Sequence, residues 1–196
     1  MLVFLDFEAS SLARHSYPIE VAWIFEDGRS ETHLIRPAPG WDDWDAGAEA
    51  IHHIPRDALL RDGTSHDVLA RRMMAVLAGH DIVATAPSWD GKWLSALLRA
   101  ASLPRHSLRL RDTEEAQRDT ARHMLQDCIA ADRLDAEIGT LIARARQRSP
   151  GATQAHRALA DASHERDLWL AVRADAEQLR DACRQQGNAF VAPGHE

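Results

Sequence analysis

The sequence contains little cysteine and no long hydrophobic run. Only two cysteines, Cys128 and Cys183, occur among 196 residues, and both fall in segments with a helical pattern. Their spacing fits neither a zinc site nor the disulfide framework of a small secreted domain. No stretch approaches the roughly 20 apolar residues that span a membrane, and the N-terminus lacks the basic start and cleavage site of a signal peptide. We therefore expect a cytoplasmic protein.

Positive charge is also scarce. The chain has 23 Lys and Arg against 30 Asp and Glu, a formal net charge of −7. This balance disfavours a basic surface that grips long duplex nucleic acid through its phosphates. It does not exclude an enzyme that takes a strand end, because a metal-binding carboxylate cluster itself adds negative charge. The length suits one full-sized domain, which we assign to residues 1–180, with residues 181–196 as a C-terminal tail.

The hydrophobic pattern predicts strands first, then alternating strands and helices, then helices only. Strands are predicted over residues 1–8, 19–25, 30–36, 81–85 and 108–110, the first three as an antiparallel meander. Helices are predicted over residues 45–53, 65–78, 89–101, 113–131, 134–147 and 158–186. Ser88 is the expected cap of the third helix, and the second has one apolar stripe, formed by Val68, Leu69, Met73, Val76 and Leu77. This order predicts an α/β layered domain.

Two acids end the first strand. Side chains alternate along a strand, so Asp6 and Glu8 project from the same face, about 7 Å apart. Carboxylates held together beside a hydrophobic strand repel each other and tend to keep a proton. A divalent cation removes that conflict, and hard oxygen ligands suit Mg²⁺ or Mn²⁺. The alternative is a strand end where both acids simply reach water.

Later in the chain lie two more acids and a histidine. Asp90 falls in the first turn of a predicted helix, where negative charge is favoured for structural reasons alone. His156 and Asp161 would lie about 140° apart on one regular helix and would not converge. They converge only if His156 precedes the helix and Asp161 lies within its first turns, so we predict that His156 is outside regular helix.

Taken in order, these residues resemble the DEDDh group of 3′–5′ exonucleases, the DnaQ-like members of the ribonuclease H-like superfamily. Polymerase proofreading subunits, ribonuclease T and oligoribonuclease belong to this group. The resemblance extends from about Leu2 to Leu170. Its motifs are Asp6-Phe-Glu8, the block Ile51-His-His-Ile54, the segment from Val83 to Asp90, Asp112-Thr113, and His156-Arg-Ala-Leu-Ala-Asp161-Ala162.

The resemblance implies a ribonuclease H-like fold, with a mixed five-stranded sheet flanked by helices, and a metal-dependent exonuclease. The implied metal ligands are Asp6, Glu8, Asp90 and Asp161, which would hold two Mg²⁺ or Mn²⁺ ions, with His156 as general base. The expected substrate is single-stranded DNA or short RNA, cut from its 3′ end to 5′-mononucleotides. A homodimer is also expected as one option, since some relatives are dimers. The implied substrate-binding residues are Ala9, Ser10, Leu12, His52, Ile54 and Trp89.

The sequence departs from the family pattern in three places. The family has Thr-Thr-Gly-Leu where this chain has Ala9-Ser10-Ser11-Leu12. The hydroxyl at Ser10 and the leucine at residue 12 are kept. Thr85-Ala86 replaces a His-Asn pair before Asp90, which removes polar groups near the substrate. His53 stands where the family has glycine. Two other functions therefore stay open: a non-catalytic nucleic-acid-binding module of the same fold, and a hydrolase of small nucleotides.

Overall fold

The computed structural model describes residues 1–149 and 156–189. In this part of the chain the sheet has six strands, one more than predicted, because the two-residue strand β4 pairs with the edge of β3. In chain order the elements are β1 Leu2–Ala9, β2 Pro18–Phe25, β3 Ser30–Arg36, α1 Ala46–His52, α2 Arg56–Asp62, β4 Thr64–Ser65, α3 His66–Leu77, β5 Asp81–Ala84, α4 Pro87–Ala100, β6 Leu110–Asp112, α5 Thr113–Leu125, α6 Ala131–Arg148 and α7 Ala158–Ala189. The predicted α/β class is confirmed.

The sheet has the strand order β4-β3-β2-β1-β5-β6. Strands β1, β2 and β3 form the predicted antiparallel meander, whereas β5 runs parallel to β1 and β6 parallel to β5. Because parallel strands end at the same edge of a sheet, the end of β1 and the start of the helix after β5 come together. This topology brings the Asp6-Phe-Glu8 segment and Asp90 to one edge.

The structure divides into two compact units, and the first comprises Met1–Thr113 with Ala152–Arg166. Of the apolar stripe predicted for α3, Leu69, Met73 and Leu77 are buried and Val76 packs against the core, whereas Val68 is 57% exposed. It precedes the buried Leu69 by one position, which is 100° around the helix and outside the apolar stripe. The largest buried side chains of this core are Phe7, Trp23, Phe25, Met73 and Trp93.

Several predicted boundaries are wrong. Helix α4 begins at Pro87 after Ala86, so Ser88 is not its cap; proline suits the first helical position because its φ is already helical and its missing N–H has no partner there. Helix α2 was not predicted, since its seven residues bury only Ala58 and Leu59. The last strand lies at 110–112, not 108–110, because Leu110 pairs with Ile82. Helix α5 ends at Leu125, six residues before the predicted end at residue 131.

The second unit comprises Glu114–Gly151 with Asp167–Glu196. Its core is formed by apolar residues of α5, α6 and the later part of α7, among them Leu125, Ile138, Ile142, Leu168 and Val172. Helix α7 continues to Ala189, so part of the predicted tail is helical, while residues 190–196 and the predicted break at Pro150-Gly151 lie outside the described residues. The assignment of residues 1–180 to one domain stays a prediction. Among the described helices, none is long and apolar enough to cross a membrane.

His53, which stands where the family pattern has glycine, has a left-handed backbone conformation. It follows α1 with φ 56° and ψ 29°, and its N–H donates to the carbonyl of Glu49. This left-handed conformation closes a helix and is most easily adopted by glycine. The chain keeps the turn with histidine, at the cost of local backbone strain.

Candidate active site

Three carboxyl groups meet at the end of β1. Asp6 and Glu8 are half-buried on a strand whose other residues are buried, and Asp161 lies in the first turn of α7. One oxygen from each side chain lies within 4.8 Å of the others. The strand's alternation places the first two on one face, and the start of α7 supplies the third.

Asp90 lies in the first turn of α4 and is only 2% exposed. Burial raises the pKa of its carboxyl to about 7, although backbone N–H groups of Phe7 and Ala86 donate to it and oppose the rise. The charge on Asp90 in turn raises the pKa of Asp6. Asp90 is therefore near enough to Asp6 for their charges to interact, but it is not one of the three acids whose oxygens lie within 4.8 Å of one another.

All four acids are held where ionisation is unfavourable. Burial raises the pKa of Asp6 well above its usual range, and the charges of Asp90, Glu8 and Asp161 add to the effect. Burial, followed by the charges of Asp161 and Glu20, raises the pKa of Glu8 to about 8. Burial also raises the pKa of Asp161, while the nearby His156 and His164 oppose it. Carboxylate oxygens crowded in this way fit hard divalent cations, whose charge would remove the repulsion.

The raised pKa of Glu8 predicts how the stability of the metal-free protein depends on pH. A carboxyl whose folded-state pKa exceeds its unfolded value binds more protons in the folded state, so its contribution to stability falls as pH rises from about 4.5 to about 8. Glu8→Gln should therefore raise the melting temperature in EDTA, by about 2–8 °C at pH 8 for a relief of about 1–2 kcal/mol. The gain should shrink towards pH 5.

The matched control for this measurement is Glu31→Gln. Hydrogen bonds from Arg72 hold the pKa of Glu31 below its usual range, so its contribution to stability has the opposite sign and its substitution should lower the melting temperature at pH 8. The prediction is tested by measuring the melting temperatures of the wild type, Glu8→Gln and Glu31→Gln at pH 5, 6, 7 and 8. A Glu8→Gln gain that is absent, or independent of pH, would contradict an electrostatic origin.

His156 lies two residues before the start of α7 and is exposed. It lines a cavity of about 260 Å³ together with Glu8. It is also close enough to Asp161 for its charge to lower the pKa of that carboxyl. The prediction that His156 lies outside regular helix is therefore confirmed.

The same cavity contains three of the six residues predicted to bind substrate, Ala9, Leu12 and His52. The Nδ1 atom of His52 accepts the N–H of Ile54 at 3.1 Å, so the ring proton is assigned to Nε2. Within the described residues that Nε2 has no hydrogen-bond partner, although the side chain is buried. Leu12 is 71% exposed and Ile51, which the sequence analysis missed, is 53% exposed.

The other three predicted substrate residues do not line this cavity. Ser10 is buried, where its hydroxyl accepts the N–H of Tyr17 and donates to Asp43. Ile54 is buried in a small apolar cluster with Tyr17. Trp89 is 38% exposed, with its ring 5.7 Å from that of Trp93. Their roles in binding stay predictions.

Sequence reasoning also missed Glu20, a buried acid beside the cluster whose charge raises the pKa of Glu8. A signal for it exists in the sequence. Glu20 is the one charged residue in the otherwise apolar strand β2, every residue of which is buried. Charged residues are almost never fully buried unless they are paired, so this position requires a partner that the local sequence does not supply.

Solved structures with the same architecture are found among exonucleases. Exonuclease I of E. coli, in a zinc-bound complex with single-stranded DNA, matches 92% of this chain with a TM-score of 0.64 and 16% identity. The E. coli enzyme in complex with a dT13 oligonucleotide matches 91% of it, with a TM-score of 0.60 and 18% identity. A moderately thermophilic exonuclease I from Methylocaldum szegediense matches 92%, with a TM-score of 0.65 and 19% identity.

The fold is that of exonuclease I. Exonuclease I has the ribonuclease H-like exonuclease fold, so the predicted fold is confirmed. This chain spans 42% of the length of each of these three exonuclease I chains. No protein-family model and no curated protein sequence shows a significant match to the chain.

Proposed function

We propose that the chain is a metal-dependent 3′–5′ exonuclease that hydrolyses single-stranded DNA or short RNA and releases 5′-mononucleotides. The observation that carries the proposal is the convergence of Asp6, Glu8 and Asp161, with Asp90 adjoining and His156 at the rim. Crowded acids with raised pKa values lower the stability of the folded protein near neutral pH. Such groups are typical of functional sites. The exonuclease I complexes with single-stranded DNA favour DNA as the substrate.

The four acids would hold the cations. Bound Mg²⁺ or Mn²⁺ would supply positive charge to the attacking and leaving oxygens of the phosphodiester. One oxygen each from Asp6, Glu8 and Asp161 lies within 4.8 Å of the other two. The three carboxylates are therefore close enough to hold a cation together. Asp90, buried at the start of α4, would lose its proton on cation binding and become the fourth carboxylate of the site.

The remaining cavity residues would bind the 3′-terminal nucleotide and take the proton. His156 lies at the cavity beside Glu8, where its imidazole would accept the proton of the attacking water. The Nε2–H of His52 is a donor that a sugar or phosphate oxygen would satisfy. The exposed side chains of Leu12 and Ile51 offer apolar contact to a base. A cytoplasmic location and a homodimer stay predictions.

The proposal is tested by incubating the protein with 5′-labelled single-stranded DNA and RNA oligonucleotides in Mg²⁺, Mn²⁺ or EDTA. We expect a ladder that shortens from the 3′ end in either metal and no products in EDTA. The better-cleaved strand identifies the preferred sugar. Intact oligonucleotides in all conditions, with dinucleotides cleaved instead, would replace the proposal with a small-nucleotide hydrolase. Strand binding without any cleavage would leave a binding module.

A further inference from the structure

Glu20 makes a hydrogen-bonded ion pair that crosses from the sheet to α7. Its partner is Arg157, 137 positions later in the chain. The Nε of Arg157 donates to Oε2 of Glu20 at 3.0 Å and its Nη2 donates to Oε1 at 2.5 Å. The carboxylate is 3% exposed and the guanidinium about half exposed. This is a bidentate pair, whose geometry fixes direction as well as distance.

The same carboxylate also holds the first residue of α7. Oε2 of Glu20 accepts the N–H of Ala158 at 3.1 Å, one of the helix N–H groups that have no partner within the helix. The carbonyl of Arg157 accepts the N–H groups of Ala160 and Asp161, at 2.9 and 3.1 Å. Arg157 is therefore bound to Glu20 by its side chain and to Asp161 by its backbone.

The ion pair between Glu20 and Arg157 lies next to residues of the proposed active site. Glu20 lies opposite Glu8 in the β1–β2 register, and Arg157 is flanked by His156. The pair thus ties β2 to the start of α7, where His156 and Asp161 stand on either side of Arg157. The charge of the guanidinium also lowers the pKa of the Glu8 carboxyl.

We propose that Glu20 and Arg157 are positioning residues, which set the place of His156 and Asp161 against the carboxylates of β1. Neither would touch the substrate. The inference rests on the proposed function, because it assigns these two residues a role in that same site. It predicts that loss of Arg157 impairs metal binding and turnover, in addition to the stability lost when the buried Glu20 carboxylate is left without its partner.

The test is Arg157→Ala, with Arg166→Ala as its matched control. Arg166 lies on the same helix and anchors it to the end of β2, its Nε donating to the carbonyl of Phe25 and its Nη2 to that of Glu26, both at 3.1 Å. Each variant is measured by Mn²⁺ titration, by thermal melting, and by kcat and KM on single-stranded DNA. Removing groups that orient metal ligands reduces affinity or activity by about 10–100-fold.

We expect Arg157→Ala to weaken Mn²⁺ binding and lower kcat by about 10–100-fold with KM nearly unchanged. Arg157→Lys should recover part of both, because it keeps the charge beside Glu20 but not the bidentate geometry. Arg166→Ala should lower the melting temperature while keeping Mn²⁺ affinity and kcat within about twofold, the size of effect expected of a purely structural contact. Should Arg157→Ala not fold, Arg157→Lys carries the same comparison.

Two results would overturn the positioning role. One is an Arg157→Ala protein that keeps both Mn²⁺ affinity and kcat, and the other is an equal loss of both in Arg166→Ala. The Mn²⁺ measurement separates this inference from the proposed function. A wild-type protein that binds Mn²⁺ without cleaving a strand refutes the exonuclease alone, and the effect of Arg157 on affinity is still decided. A wild-type protein that binds no Mn²⁺ overturns both.

Discussion

Replacing Asp6 with alanine is expected to abolish strand shortening, with kcat reduced by at least about 10³-fold and the fold retained. Asp6 is the acid on which the charges of Asp90, Glu8 and Asp161 all act, so it stands at the centre of the proposed metal site. Metal stabilisation of the reacting oxygens contributes several kcal/mol, and each factor of ten in rate corresponds to about 1.4 kcal/mol. The measurement is the initial rate of shortening of a 5′-labelled oligonucleotide at saturating Mg²⁺.

Asp81→Ala is the control for this experiment. Asp81 is also a sheet acid, but it lies at the start of β5 and pairs with Arg111 at 2.7 Å, so its loss should leave kcat unchanged. The metal-free melting temperature of Asp6→Ala should equal or exceed that of the wild type, because a carboxyl with a raised pKa has been removed. Near wild-type hydrolysis by Asp6→Ala would refute the site assignment.

His156→Ala is expected to lower kcat by about 10²–10⁴-fold, the usual contribution of a general base, while metal binding stays intact. The reason is the position of His156: it lines the cavity beside Glu8 but is not one of the three residues whose oxygens converge. Single-turnover rates on single-stranded DNA, together with Mn²⁺ titration, separate the two effects.

The control here is His106→Ala, which removes an exposed histidine that accepts a hydrogen bond from Arg105 at 2.9 Å. Its turnover should match that of the wild type. If His156→Ala instead loses its bound Mn²⁺, the imidazole is a ligand or a structural group, and another residue must act as the base.

The parts of the site that the sequence predicts correctly follow from local rules. The alternation of side chains along β1 places Asp6 and Glu8 on one face. The 100° step of a helix excludes convergence of His156 and Asp161 unless the helix starts between them, and α7 does start at Ala158. Asp90 falls in the first turn of α4 because the preceding strand and proline limit where that helix can begin.

What the sequence did not predict depends on contacts between distant segments. The partner of Glu20 is 137 positions away, and only the folded chain brings Arg157 to it. Strand β4 and helix α2 are short and owe their existence to packing against neighbours, not to their own pattern. The hydrogen bonds of the Ser10 hydroxyl with Tyr17 and Asp43 could not be predicted either, because they join separate parts of the chain.

The raised pKa values of the site also bear on how the proposed nucleic-acid substrate would approach the protein. The formal charge of −7 counts every carboxyl as ionised, yet Glu8 and Asp90, with pKa values of about 8 and about 7, hold protons near neutral pH in the absence of metal. Entering cations would displace those protons, so the net charge would rise by less than the charge of the ions. An approaching phosphate backbone would therefore meet less long-range repulsion from the loaded protein, but the decrease would be smaller than the charge of the ions alone implies.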